Sequence, residues 1–203
     1  MTGAFSWALV ACGLGVVVIR RRSFAVGLVS VQALVLVGFA IRDARTGNAL
    51  VAAGALALRA LVLATVFLLL VARTRETRLV RAPISPLVRA GAAVAFALTL
   101  TWLVPTIGLE TRNAERAVLA LVAFGIVAVA TRRATLFQIL GIVLVENGLA
   151  LAALELPGGA SLAIELGVAL DLVLVSLVAW LFHERIFAEW GAGDAAVLRA
   201  LRD

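Results

Sequence analysis

Three charged side chains lie inside apolar stretches long enough to cross a bilayer: Glu146, Asp171 and Arg59. A charge at the centre of a membrane helix costs roughly 2.5–3.5 kcal/mol on insertion scales, so such a residue usually faces protein or water and has a task. Carboxylates in this setting can carry protons, whereas an arginine keeps its charge. The pattern therefore indicates ion movement or structural ion pairs in mid-membrane.

Glu146 is the first candidate for an ion path, and the alternative is a structural carboxylate that bonds a neighbouring helix. Gln138 precedes it by eight residues on nearly the same helical face and extends a polar strip. Asn147 points elsewhere and is expected to bond a helix partner. We assign Gly141 and Gly148, with Asn147, to helix packing.

Asp171 lies one turn after Gly167, a glycine that lets another backbone or a water approach this face of the helix. A proton-carrying role and a structural role both stay open for Asp171. Glu165 lies near the end of the same span on a different face. It is either the mouth of a half-channel or a solvated helix end.

Arg59 needs an acid, a carbonyl or water beside it, because its guanidinium does not release its proton. One role is a structural ion pair with Asp171, with Glu146 or with a partner chain. The other is a fixed positive charge that favours the ionised form of a neighbouring carboxylate. Gln32 is expected to bond between helices and is the weaker candidate for an ion ligand.

The composition places these residues in a membrane. The chain has 203 residues, of which 64% are hydrophobic, against about 45–50% in soluble domains. The apolar runs are long and unalternated, as in an all-α integral membrane protein rather than a barrel. The net charge of +6 comes from arginine between these runs. It therefore indicates orientation in the bilayer rather than nucleic-acid binding.

Catalytic and cofactor sites are not predicted. Cys12 and His183 are the only residues of their types, so an internal disulfide, a His-paired haem and a metal site are not expected. The glycine pairs lack the lysine of a phosphate-binding loop. We therefore expect no catalytic residues, no metal and no cofactor in this chain.

Seven spanning helices are predicted. The first apolar run is followed by three arginines, the reverse of a cleavable signal peptide, so it is kept as a span. The fifth is too short unless it extends into the flanking polar residues. The predicted spans are 3–19, 24–41, 49–72, 87–104, 117–131, 135–154 and 162–182.

Arginine counts orient these spans. Thirteen arginines fall on the side of the turn at 20–22 and four on the other. Loops rich in arginine remain in the cytoplasm, so the N-terminus is predicted outside and the C-terminus inside.

An internal similarity suggests a three-helix unit used twice in the same orientation, with one linking helix. The segments beginning ACGLG and AFGIV align at an offset of 112 residues, and those beginning GLVSV and GIVLV align at 114, with a two-residue gap in the turn. The aligned pairs are Gly13 with Gly125, Gln32 with Glu146, Gly27 with Gly141, and Arg59 with Asp171. The predicted units are 1–80 for the first repeat, 81–116 for the linking helix and loop, 117–183 for the second repeat, and 184–203 for a cytoplasmic tail.

The segment FQILGIVLVENGLALAAL after two arginines, followed by ELGVALDLVLVSLVAWLF, resembles the hydrogenase-4 component E family. The C-terminal half of that family is similar to the K subunit of complex I and the C subunit of multisubunit cation/proton antiporters. The resemblance covers most of the chain in span order and is most specific at Gly141, Glu146, Asn147 and Gly148.

The resemblance implies a non-catalytic subunit of an oxidoreductase complex in a bacterial or archaeal cell membrane, which moves protons or Na⁺. Its partners would be antiporter-like subunits and quinone- or hydrogenase-module subunits within the lipid bilayer. Glu146 and Asp171 would belong to a polar, hydrated axis. The family's third-span basic residue is usually lysine, and the arginine at position 59 favours a fixed charge.

Two other functions stay open. A stand-alone secondary transporter would transport its substrate when isolated. A structural membrane scaffold would tolerate loss of the Glu146 carboxylate without loss of coupling, and would tolerate apolar replacement of both members of a buried pair.

Overall fold

The chain folds into α-helices, as the sequence predicts. The computed structural model describes residues 3–44, 46–73 and 84–156. The predicted seventh span 162–182 and the tail 184–203 lie outside this part of the chain. The described helices are α1 (Gly3–Val18), α2 (Arg22–Asp43), α3 (Gly47–Arg73), α4 (Pro86–Leu103), α5 (Arg112–Thr131) and α6 (Thr135–Leu154).

Five of these helices, α2 to α6, are long and apolar enough to cross a membrane. The first, α1, has 16 residues and is shorter. Large apolar side chains lie on the outside of the bundle, among them Leu87 and Trp102 of α4, which are 85% and 86% exposed. Such side chains are typical of a surface that faces lipid, and the chain is a multi-pass helical membrane protein.

The predicted start of the fifth span is five residues too late. Helix α5 begins at Arg112, and the hydroxyl of Thr111 accepts a hydrogen bond of 3.2 Å from the Ala114 N–H. This cap satisfies one of the free amides at the helix start. The polar residues after Thr111 therefore belong to the helix, which reaches 20 residues and a membrane-spanning length.

Helices α5 and α6 form the centre of the bundle. Helix α1 packs against α5, and α4 packs against both α5 and α1. Helix α2 joins the bundle through α1 and α6, and α3 packs on the outer side of α2. The predicted linking helix, α4, is thus part of the same bundle as the elements it connects.

Two glycines allow α5 and α6 to touch through their backbones. A methyl group on Gly125 would lie 2.5 Å from the carbonyl oxygen of Gly141 and 2.6 Å from Cγ2 of Val145. A methyl group on Gly141 would lie 2.8 Å from the carbonyl oxygen of Gly125. Neither position has room for a side chain, and this reciprocal contact fixes the crossing point of the central helix pair.

The predicted repeat is not reproduced in the packing of the described helices. In the alignment, Gly13 and Gly27 of α1 and α2 correspond to Gly125 and Gly141 of α5 and α6. Gly13 instead lies against Leu121 of α5, and a methyl group on Gly27 would meet no atom within 4 Å. The α1–α2 pair therefore lacks the backbone contact that joins α5 to α6.

Candidate functional site

Buried polar groups from four helices are connected in one hydrogen-bonded chain. The Gln32 side chain donates from Nε2 to the carbonyl oxygen of Leu9 at 2.8 Å. Its Oε1 accepts a bond of 2.9 Å from Nδ2 of Asn147. The Oδ1 of Asn147 accepts from Nη2 of Arg59 at 3.2 Å. We call these four residues the polar chain; it links α1, α2, α6 and α3 in that order.

The polar chain lies in the middle of the bundle. Gln32, Arg59 and Asn147 are each near the centre of their own helix. Their exposed fractions are 0%, 4% and 1%. Each amide thus has its donor and its acceptor used by a neighbouring helix, which avoids the penalty of burying an unpaired polar group.

Glu146 adds a second charge next to this chain. It is half-buried on α6, directly before Asn147, and its carboxylate attracts the Arg59 guanidinium electrostatically. The sequence left Glu146 and Asp171 as alternative partners of Arg59. Glu146 is near Arg59 in the structure, whereas Asp171 lies outside the described residues, as do Glu165 and Gly167.

The amide pairing differs by one residue from the sequence alignment. The alignment placed Gln32 opposite Glu146, but Gln32 bonds Asn147, the next residue. Successive residues of a helix differ by about 100° in direction, so this single step moves the contact to another face of α6. Asn147 is therefore the residue of α6 that joins α2 to α3, with Glu146 beside it.

Small residues make room for the polar chain. A methyl group on Gly13 would lie 2.9 Å from Cδ2 of Leu121 and 3.7 Å from Nε2 of Gln32. One on Gly148 would lie 3.2 Å from Cβ of Leu121 and 3.3 Å from the Val118 carbonyl oxygen. Gly148, the residue after Asn147, therefore allows α6 to pack closely against α5.

Gln138 takes no part in the polar chain. Its Nε2 donates to the carbonyl oxygen of Arg132 at 3.0 Å, at the junction of α5 and α6. Eight residues separate it from Glu146, or about 12 Å along the helix axis. The predicted polar strip from Gln138 to Glu146 is thus divided between the end and the middle of α6.

A second polar group, not predicted as a site, lies at the end of the bundle where α1 ends. Arg89 donates from Nη1 to the carbonyl oxygen of Val17 at 3.1 Å, and Arg132 donates from Nη2 to the same oxygen at 2.8 Å. The Arg132 guanidinium also stacks 4.0 Å from the ring centre of Phe137. The exposed Arg20 lies close enough to act on both arginines by charge repulsion.

Arg20, Arg89 and Arg132 form what we call the arginine cluster. The exposed fractions of Arg89 and Arg132 are 0% and 2%. Burial lowers the pKa of Arg132 to about 9, and the charges of Arg89 and Arg20 contribute to the same shift. In the sequence these arginines indicate only the orientation of the spans, and the one signal for a buried role is that Arg89 follows Pro86 inside an apolar run.

Replacing Gln32 by leucine is expected to lower the free energy of unfolding by about 1–2 kcal/mol. The change removes two buried hydrogen bonds and leaves the Asn147 amide without its acceptor. The measurement is the thermal unfolding midpoint of the purified protein in detergent. The matched control is Thr65→Val, which removes an exposed bond within one helix and is expected to cost less than about 0.5 kcal/mol. Equal midpoints for the two variants would contradict a structural role for the polar chain.

Comparison with known proteins gives one informative relative. No protein-family model matches the chain, and no solved structure matches it. The uncharacterized protein Rv0085 of Mycobacterium tuberculosis is 36% identical over 174 residues, which cover 80% of this chain and 76% of the relative. Identity at this level over most of both proteins indicates common descent, and the chain therefore belongs to the same family as Rv0085.

Proposed function

We propose that this chain is a membrane-arm subunit of a complex-I-related redox complex that translocates protons or Na⁺, such as a membrane-bound NiFe hydrogenase. The observation that carries the proposal is the polar chain with Glu146 beside it. Hydrogen-bonded amides lead across the bundle to a buried arginine, and a carboxylate lies next to that arginine. Intramembrane charges that face a bundle interior are typical of ion paths.

In the proposed mechanism, Glu146 holds and releases the proton and Arg59 is the fixed charge. The bond from Arg59 to Asn147 positions the guanidinium near the carboxylate. A nearby positive charge favours the ionised carboxylate, and separation of the two favours proton uptake. A shift of α3 relative to α6 would therefore change the occupancy of Glu146. Partner subunits would supply the redox chemistry that drives this shift.

The proposal includes a topology of seven spans in a bacterial or archaeal cell membrane, with the N-terminus outside and the C-terminus in the cytoplasm. The seventh span would carry Asp171, near the mid-membrane level of Glu146, and Glu165 near its end. The two three-helix units would descend from one duplicated unit whose helix packing later diverged. The antiporter-like and quinone- or hydrogenase-module subunits are the proposed partners.

Partner identity is the first test of this function. The tagged chain is extracted from its native membrane in mild detergent, and the proteins that accompany it are identified by mass spectrometry. Stoichiometric antiporter-like and redox subunits are expected. A chain that is recovered alone, or only with copies of itself, would contradict the proposal and favour a stand-alone transporter.

In the assembled complex, Glu146→Gln is expected to reduce ion translocation per electron by about tenfold or more, the scale of losing a positioned proton-transfer group. The amide keeps the size of the side chain but cannot release a proton. The measurement is pH-gradient formation in membrane vesicles, together with the rate of electron transfer. The control is Glu110→Gln, which changes an exposed carboxylate outside the spans. Unchanged translocation in a fully assembled Glu146→Gln complex would overturn the proposed role of Glu146.

A structural scaffold is the second candidate. The observation in its favour is that the Gln32 and Asn147 side chains satisfy both of their polar ends within the bundle. A scaffold requires the polar chain for folding and leaves coupling intact when Glu146 becomes glutamine. The translocation experiment therefore separates the two functions, provided that complex assembly is measured in the same membranes.

A further inference from the structure

The arginine cluster has more hydrogen-bond donors than the described structure has acceptors for. Nε of Arg89 and both Nε and Nη1 of Arg132 are buried, and no atom of the described residues accepts from them. These two guanidiniums are at least 98% enclosed. Buried polar N–H groups are almost always paired, so three such donors at one place indicate a missing acceptor.

Among the described residues, the charge at this end of the bundle is one-sided. The ends of α1 and α5 and the starts of α2, α4 and α6 lie at this end, and every charged side chain that the structure describes there is an arginine. The described acidic residues outside the middle of the bundle lie at its opposite end, as Glu115 does, 17 residues or about 25 Å along α5 from Arg132. The described arginines at this end are Arg20, Arg21, Arg22, Arg89, Arg132 and Arg133.

The backbone carbonyls that accept from the cluster do not balance this charge. The Val17 carbonyl, at the negative end of α1, receives bonds from both Arg89 and Arg132. Arg89 also donates to the Ile84 carbonyl and Arg132 to the Ile19 carbonyl, and all three acceptors are neutral. A helix C-terminus carries a partial charge of only about −0.5. Two buried guanidiniums with an exposed arginine beside them therefore need an anion to offset the cost of burial.

We propose that the arginine cluster binds a phosphate oxyanion, supplied in the membrane by the headgroup of an anionic phospholipid. Guanidinium forks match the oxygen geometry of phosphate. The cluster lies where helices enter and leave the bilayer, which is the depth of lipid headgroups. Basic pockets between membrane helices bind such headgroups. Exposed Arg20 makes the first contact, and the buried arginines turn their free N–H groups toward the phosphate.

The test uses the full chain in nanodiscs of phosphatidylcholine alone or with phosphatidylglycerol. Native mass spectrometry measures the phosphatidylglycerol that stays bound. We expect saturable retention, a higher unfolding midpoint in the anionic discs, and about a tenfold loss of retention in Arg20→Gln, because this variant removes a direct charge-assisted hydrogen bond to the phosphate. Arg20 is exposed, so this variant is expected to fold normally in phosphatidylcholine.

Two controls separate a built site from general attraction. Arg133→Gln removes an exposed charge at the same end, and Arg42→Gln removes one at the opposite end. Both are expected to keep retention within about twofold of the unchanged chain. A loss in Arg133→Gln as large as that in Arg20→Gln would overturn the proposal, as would identical behaviour in the two kinds of disc with no response to phosphate.

A further experiment distinguishes a lipid headgroup from free phosphate as the ligand. Inorganic phosphate is added to the phosphatidylcholine discs, and the unfolding midpoint is compared with that in the anionic discs. A rise only with phosphatidylglycerol supports the lipid headgroup as ligand. An equal rise with inorganic phosphate, lost in Arg20→Gln, supports the same oxyanion site with a soluble ligand.

Discussion

Gly125→Ala is expected to lower the free energy of unfolding by about 3 kcal/mol, a large part of the stability of a typical protein. The new methyl group would lie 2.5 Å from a backbone oxygen of α6 and 2.6 Å from a side chain of the same helix. A backbone atom cannot move aside as a flexible side chain can, so α5 and α6 must separate. This pair forms the centre of the bundle, and its separation disturbs every helix packed on it.

The measurement is size-exclusion chromatography of the detergent-solubilised protein after heating. Gly27→Ala is the matched control, because the sequence alignment makes Gly27 the counterpart of Gly141 and a methyl group there meets no atom within 4 Å. Alanine is the better helix former by roughly 0.5–1 kcal/mol, so this control is expected to be neutral or slightly stabilising. Similar midpoints for Gly125→Ala and Gly27→Ala would show that α5 and α6 do not depend on backbone contact.

The second large effect is expected at Arg59. Arg59→Leu removes a buried charge that attracts the half-buried Glu146 carboxylate, and it removes the donor to Asn147; it should cost about 3 kcal/mol. The loss arises mainly from the charge and amide that remain without their partner. Thermal midpoints and the yield of monodisperse protein measure it, and Arg42→Leu, an exposed site, is expected to have little effect.

A double variant identifies the partner of Arg59. If Glu146 is the partner, Arg59→Leu combined with Glu146→Leu should recover at least about half of the stability lost in the single variant, because no unpaired charge is left. Arg59→Leu with Asp171→Leu should then recover none. The reverse result would transfer the ion pair to Asp171 and remove the charge contact on which the proposed mechanism depends.

Helix positions were largely readable from the sequence, because a bilayer demands a minimum apolar length. Thr135–Leu154 was predicted with the bounds that the structure has, and the other described spans differ by a few residues. The one larger error was the start of α5. The polar residues after Thr111 were predicted to lie outside the helix, because a membrane span is mainly apolar. They form the first turn of α5 instead, where the Thr111 side chain caps the helix.

The contacts within the site were less predictable. Gln32, Arg59 and Asn147 stood out as polar residues in apolar runs, but the sequence did not give their pairing. In a helix that is apolar on every side, hydrophobic periodicity does not tell which face points inward. Gln32 bonds Asn147 rather than Glu146 because of the rotation of α6 about its own axis. The close contact of Gly125 with Gly141 helps to fix that rotation.

The burial of Arg89 and Arg132 was not predictable for a different reason. Arginines near span ends usually lie in water or at the headgroups, and their number carries the orientation signal. Whether one of them turns inward depends on a carbonyl offered by another helix. The Val17 carbonyl comes from α1, which is 72 residues from Arg89 and 115 from Arg132 in sequence.

The short first helix has a consequence for the order in which the chain is made. At 16 residues, α1 is about 24 Å long, less than the roughly 30 Å of hydrocarbon, so the bilayer beside it must be thinner for both of its ends to reach the headgroups. Arg132, which bonds the Val17 carbonyl, leaves the ribosome only after five helices have been synthesised. Arg89 of α4, which is made earlier, supplies the first donor to that carbonyl, and before it emerges the carbonyl depends on water, lipid headgroups or the insertion machinery. A chain that stops before residue 89 therefore lacks both donors to the Val17 carbonyl, and a chain that stops between residues 89 and 132 lacks the second.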